Sequence, residues 1–254
     1  MMIIKRVKPN NLPRLGFVCA AWVSFSFWGM PIALAQGSDT PALTISTSAS
    51  SATAAELLAG DATHWDTPRS PIHLNLTPPL FQTDVLDDGV RPSTYVQIQK
   101  LDTLLYVKLT WNDRTADSVQ ATRAYADAGE PHIYKQQSEI VNQFPDAACV
   151  MVPYSPPGGG EYPGLMMGEE TDSVRLYYWR AGEGFSVLRA AGRETATKTG
   201  EILRGRSDRA RNEWSVVFAI PAFGDLTPLA FGIWDGARDH RDGIKYYSLW
   251  YDVR

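Results

Sequence analysis

Cysteine is almost missing from this chain: among 254 residues there are only Cys19 and Cys149. Cys19 lies in an N-terminal stretch with the marks of a cleaved leader, so one cysteine remains and no intramolecular disulfide is expected. No Cys-x-x-Cys-His occurs, which excludes covalent haem attachment through thioethers. The four histidines, His64, His73, His132 and His240, stand singly and show no zinc spacing. His240 reads as a solvated loop residue. There is no Gly-x-Ser-x-Gly and no phosphate-cradling glycine loop, so serine hydrolase and P-loop chemistry are unsupported. Asp84, Asp87 and Asp88 form a polar turn without a calcium-loop pattern. Beyond the leader no apolar run is long enough to cross a bilayer. Basic charge is also scarce. The formal net charge is −4, and about −8 once the leader's Lys5, Arg6, Lys8 and Arg14 are removed, which makes nucleic acid a poor partner.

The leader itself is specific. A basic start precedes the apolar run Leu15 to Trp28, and Ala33-Leu34-Ala35 supplies a small-x-small cleavage site. Residues 1–35 are therefore expected to be a signal peptide, without the Arg-Arg of a twin-arginine signal, and the product periplasmic. Residues 36–62, rich in Ser, Thr and Ala, read as a flexible leader in which Ala52 to Leu58 form a short helix. Residues 63–254 form one domain, beginning near Trp65.

That domain has many short alternating strands and no long amphipathic helix. His73 to Thr77, Thr94 to Leu101, Leu104 to Trp111, Asp146 to Val152, Ser173 to Ala181, Glu213 to Pro221 and Leu229 to Asp235 read as strands, with Asp102-Thr103 as a hairpin turn. The pattern predicts an antiparallel β-sandwich. Residues 112–138 and 182–212 read as loops. The second stretch carries Arg189, Arg193, Lys198, Arg204, Arg206, Arg209 and Arg211 against Glu194, Glu201 and Asp208, either a docking edge for an acidic partner or a solvated loop.

Two features carry chemistry. After the stiff loop Pro153 to Pro163 comes Gly164-Leu-Met-Met-Gly168. In an extended segment Met166 and Met167 point oppositely, and one of them either fills a gap in the core or offers a soft thioether to a metal. The second feature is Phe231-Gly-Ile-Trp-Asp-Gly, a polar loop, and then Lys245 to Tyr251, whose alternation puts Lys245, Tyr247, Leu249 and Tyr251 on one face. If that face is inward, burial disfavours the ammonium and frees an amine lone pair. If Lys245 sits at the strand mouth it snorkels to water, which pattern alone favours.

Leu105 to Asp113, Phe144 to Pro153, Met166-Met-Gly168 with Val174 to Ala181, Trp214 to Phe218 and Phe231 to Trp250 together resemble a known family. It comprises the haem b-binding gamma subunits of periplasmic molybdenum enzymes of the dimethyl sulfoxide reductase superfamily, such as ethylbenzene dehydrogenase, dimethylsulfide dehydrogenase, selenate reductase and chlorate reductase. The resemblance implies a DOMON-type sandwich whose long loops form a pocket for non-covalent haem b. It implies Met167, in the Met-Gly step, and Lys245, after the Trp-Asp-Gly loop, as axial ligands, with Met166 the alternative sulfur. It also implies a chain that transforms no substrate itself. Such a chain relays single electrons between an iron–sulfur subunit, adjoining a molybdenum catalytic subunit, and a carrier such as soluble cytochrome c. Two rival readings are a carbohydrate- or ligand-binding sandwich using exposed aromatics such as Trp65 and Trp111, and a stand-alone haem sensor or carrier.

Overall fold

A computed structural model describes residues 43–65, 68–77, 88–118, 144–155, 162–192, 195–224, 226–240 and 243–254. Residues 1–35, where a signal peptide is expected, Asp84, Asp87, His132 and most of the loops 112–138 and 153–163 lie outside them. Among the described residues no helix is long and apolar enough to cross a membrane.

Two sheets pack face to face. The larger contains β1 (Leu43–Ile45), β4 (Asn75–Leu76), β7 (Ala147–Pro153), β8 (Val174–Arg180), β9 (Gly184–Ala190), β10 (Thr197–Lys198), β13 (Thr227–Trp234), β14 (Tyr246–Tyr247) and β15 (Tyr251–Val253). Its order is β1-β15-β13-β7-β8-β9-β10, with β14 joining β13 to β4. The smaller contains β2 (Ser48–Ala49), β3 (Ser70–Ile72), β5 (Thr94–Leu101), β6 (Leu104–Asn112), β11 (Arg204–Ala210) and β12 (Glu213–Pro221). Its order is β11-β12-β6-β5-β2, with β3 on β5. Pairing is antiparallel except for β1 on β15 and β2 on β5.

The alternation that predicted the strands is what builds the core. Val96, Ile98, Val107, Leu109, Trp111 and Phe218 of the smaller sheet meet Val150, Tyr177, Trp179, Phe231 and Ile233 of the larger. The β5–β6 hairpin turns at Asp102-Thr103 as expected, with Asp102 at φ 55°. β7 is buried along its whole length because both of its faces are covered. Ala148, Val150 and Val152 face the sandwich, while Ala147, Cys149 and Met151 face a second apolar layer outside the sheet.

Three expectations change. The stretch 36–62 is, from residue 43, partly built into the fold: β1 and β2 pair with each sheet, and helix α1 (Ala54–Ala59) starts in a Thr53/Glu56 capping box and buries Leu57. Leu57 and Trp65 cover the outer face of the smaller sheet. Residues 182–212 hold three strands, not a loop. β11 escaped notice because it is an edge strand with exposed charges at alternate positions, a pattern that a periodicity of apolar residues cannot reveal. Trp65 and Trp111 are 5% and 1% exposed, so neither offers a face for stacking a sugar.

Candidate functional site

Lys245 and Met167 both end up in the outer layer of the larger sheet. This layer holds Ala147, Cys149, Met151, Met167, Leu176, Ala230, Trp234 and Trp250, with Tyr162 and Tyr178 against it. Small side chains on β7 and β13 make its floor.

Lys245 arrives there through a break in the last strand. Ile233 pairs with Tyr246 and Gly232 with Tyr247, but Leu229 pairs with Tyr251. The C-terminal segment therefore has one residue more than β13 over the same length, a β-bulge. Phe231 anchors it, donating its N–H to Ser248 Oγ and accepting from Ser248 N, both at 2.9 Å. Leu249 is pushed out and is 43% exposed. The uninterrupted alternation expected from the sequence is thus corrected: Tyr246 and Tyr251 share the sandwich core, while Lys245 and Trp250 lie outside it. Lys245 is nonetheless only 3% exposed. Its ammonium lies 5.4 Å from the Trp234 ring centroid, and its carbonyl accepts from Thr77 N at 2.9 Å and Thr77 Oγ1 at 2.8 Å. Gly232 permits this approach, since a Cβ there would lie 3.0 Å from Cys149 Sγ and 3.3 Å from Lys245 Cδ.

Met167 comes from a turn, not from an extended segment. Gly168 N donates to Gly164 O at 2.8 Å, closing Leu165, Met166 and Met167 into one turn. Strand alternation therefore does not decide which methionine faces inward. Met167 does, at 5% exposure, with φ at 73° and its carbonyl accepting from Gly192 N at 2.9 Å. A left-handed methionine costs about 1–2 kcal/mol, and burying its side chain returns about 1.5–3 kcal/mol, so the turn holds. Met166 is half-buried. Trp250 clamps this loop down. Its indole N–H donates to Pro163 O at 2.9 Å and its ring stacks on Tyr162 at 5.6 Å, while the Tyr162 hydroxyl bonds Asp252 at 2.6 Å.

The remaining candidates sort by burial. Cys149 is enclosed, and burial pushes its thiol up to about 12 against the pull of Lys245, so it stays protonated. His240 is not solvated: it is 2% exposed, its Nδ1 accepts from Asp235 N at 3.3 Å, and burial, with Arg238 and Arg91 adding, lowers it to about 4. Glycines and charges around it in sequence suggested a loop tip, but Tyr246 packs on the ring at 4.6 Å. Asp88 pairs with Arg238 at 2.9 Å. Sequence reasoning missed three carboxylates at the end of the sandwich, Asp113, Asp146 and Asp235, because they come from distant segments with no spacing to announce them.

No protein-family model matches the sequence. The gamma subunit of chlorate reductase from Ideonella dechloratans is 30% identical over 164 residues, 59% of this chain and 59% of that one. A putative respiratory nitrate reductase haem subunit from Haloferax mediterranei is 29% identical over 168 residues, 61% of this chain and 53% of its own length. The chain is a relative of these gamma and haem subunits. The gamma subunit of dimethylsulfide dehydrogenase from Rhodovulum sulfidophilum is 25% identical over 206 residues, 72% of this chain and 68% of that one. The chain thus spans between about half and two thirds of the length of the curated relatives it matches. Among solved structures, a family 9 carbohydrate-binding module from Caldicellulosiruptor kristjanssonii in complex with glucose covers 83% of this chain and 95% of its own at TM-score 0.40 and 10% identity, a likeness too slight to bear on function.

Proposed function

We propose that this chain is a periplasmic electron-transfer subunit that holds one non-covalent haem b and catalyses no reaction by itself. It relays single electrons between an iron–sulfur subunit, adjoining a molybdenum catalytic subunit, and a soluble carrier such as cytochrome c. The observation that carries this reading is the pairing of donors in one buried layer: the Met167 thioether belongs to it, and the Lys245 amine lies over Trp234, another of its members. The names of the three relatives support the same reading.

The residues present fit the group. A thioether and an amine form a soft and a borderline donor, suited to iron in a porphyrin and unsuited to a hard cation. The floor of the layer, Ala147, Cys149 and Ala230, is apolar and low. When bound, the haem supplies a one-electron couple between ferric and ferrous iron. The chain contributes position and dryness. Thr77 fixes the backbone of Lys245, Gly192 fixes that of Met167, and Trp250 and Tyr162 close the loop over the layer. Sulfur ligation and exclusion of water both favour the ferrous state. Toward a partner, the exposed edge β11 presents Arg204 and Arg206, whereas Arg209 is committed to the carbonyls of Asp113 and Thr115.

The test is the full chain expressed with its leader in haem-replete bacterial cells. A redox-responsive Soret band is expected, with low-spin six-coordinate iron. Met167→Ala and Lys245→Ala each change the ligation state in optical and electron paramagnetic resonance spectra, and Met166→Ala does not. Colourless protein overturns the reading. A spectrum that responds to Met166→Ala alone moves the sulfur by one residue, and indifference to Lys245→Ala makes His240 or His132 the next nitrogen to replace. Co-purification with a molybdenum subunit separates a complex subunit from a stand-alone haem sensor.

A further inference from the structure

The end of the sandwich beside the Trp-Asp-Gly loop holds a different donor set. Asp113 follows β6 of the smaller sheet, Asp146 precedes β7 and Asp235 follows β13 of the larger. One carboxylate oxygen from each lies within 4.8 Å of the other two. The loops are drawn tightly together here. A Cβ on Gly236 would lie 1.9 Å from Phe144 O and 2.6 Å from the Asp117 Cβ, so only glycine passes.

Asp146 is the fixed point. It is fully buried, and it accepts from Gly236 N at 3.0 Å, Asp117 N at 2.9 Å and Trp214 Nε1 at 3.1 Å. Asp113 is 7% exposed; its Oδ1 accepts from Thr115 N at 3.0 Å and Thr115 Oγ1 at 3.2 Å. Its Oδ2 is fully buried with no hydrogen-bond partner, and the same holds for Asp235 Oδ1 and Asp117 Oδ2. Arg238 reaches only the other oxygen of Asp235, at 3.3 Å, and Arg209 donates to backbone carbonyls. Three buried acceptor oxygens, two on the segment after β6 and one after β13, thus lack donors, and two of them belong to residues of the carboxylate cluster. Leaving such atoms unpaired carries the desolvation penalty of each with nothing to offset it. A hard cation satisfies them together, and a set made only of oxygens suits calcium better than zinc or copper.

We propose that this end of the sandwich binds one divalent cation of the calcium class, with Asp113 Oδ2 and Asp235 Oδ1 as ligands, Asp146 as the third carboxylate and Asp117 adjoining. The ion ties β6 of one sheet to β7 and β13 of the other and fixes the loop that leads toward Lys245.

The test needs no haem. The full chain is stripped with a chelator and melted with and without added calcium chloride, and separately with magnesium chloride. Calcium at a hundredfold excess over Kd is expected to raise Tm by about 5–10 °C. Terbium should give tryptophan-sensitised emission, through Trp214, that calcium displaces. Asp113→Asn and Asp235→Asn keep the fold and weaken calcium binding by at least about tenfold. Identical melting with and without calcium, together with no terbium emission, overturns the site. A shift produced by magnesium and not by calcium overturns the assignment of class. If Asp113→Asn fails to fold, Asp235→Asn with an unchanged calcium response overturns the ligand set.

Discussion

Gly232 provides the sharpest test of the outer layer. It lies in a regular strand, paired with Cys149 on one side and Tyr247 on the other, so alanine suits its backbone. The obstacle is space. The new methyl would lie 3.0 Å from Cys149 Sγ, 3.3 Å from Lys245 Cδ and 3.4 Å from the Trp234 ring. Ordinary contacts need about 3.5–4.0 Å. Overpacking of this kind costs about 1–3 kcal/mol, against about 0.4–1 kcal/mol returned by stiffening the unfolded chain. Gly232→Ala is therefore expected to lose about 1–2 kcal/mol. Cys149→Ala, which removes one buried sulfur, loses about 1 kcal/mol. In the double variant the alanine methyl takes the place of the sulfur, so the loss falls below the sum of the two by about 1 kcal/mol or more. Urea unfolding with equal m-values measures the cycle. Additivity within about 0.3–0.5 kcal/mol would refute the contact. The haem reading adds a second signal: Gly232→Ala displaces the lysine stem and alters the iron spectrum, and the double variant restores it. A spectrum unmoved by Gly232→Ala would separate Lys245 from the iron.

Two further perturbations probe the supports of the site. His240 has a native pKa of about 4 against an ordinary 6.5, so the unfolded chain takes up the proton first; its contribution is complete above pH 6.5 and is lost as pH falls toward 4, by about 3 kcal/mol. The stability difference between the protein and His240→Gln, followed by denaturant titration, should close over that window, and parallel curves would exclude a buried neutral histidine. Trp250→Phe keeps the stack on Tyr162 but strands the Pro163 carbonyl, at about 1–3 kcal/mol. Hydrogen exchange at the Gly168 amide, which bonds Gly164 within the same loop, should quicken, and an unchanged rate would detach the indole from the placement of Met167.

What the sequence displayed, and what it hid, follows from how each feature is encoded. The strands β5, β6, β7 and β12 were legible because burial at every second residue writes itself as alternation. β11 was not, since it closes a sheet edge with charges at alternate positions, and β9 was not, since its apolar residues are packed on both faces and do not alternate with polar ones. Met167 and Lys245 were nameable by resemblance, but their positions were not derivable from strand period: one sits in a turn and the other beyond a bulge. The buried state of His240 depends on Tyr246, which packs on its ring from the following strand, and the meeting of Asp113, Asp146 and Asp235 on three distant segments. No local pattern records either.

The bulge at Ser248-Leu249 also explains why a lysine can sit here at all. Both Tyr246 and Tyr251 belong to the sandwich core, yet they are five residues apart, and an unbroken strand would send them to opposite faces. One inserted residue reconciles them. Its consequence is that Lys245 and Trp250, also five apart, meet on the outer face, the indole clamping the methionine loop and the amine lying over Trp234. Had the strand run straight with Tyr251 inward, Lys245 would have entered the sandwich core, among Phe231, Ile233 and Trp179, where a charged amine has no acceptor and the cost would be several kcal/mol. A Leu249 left 43% exposed is the small cost of the alternative, about 1 kcal/mol of burial forgone. The same extra residue thus preserves the core and delivers a nitrogen donor to the layer that already holds a sulfur donor. This is why the proposed haem site belongs to the outside of the larger sheet and not to the space between the two.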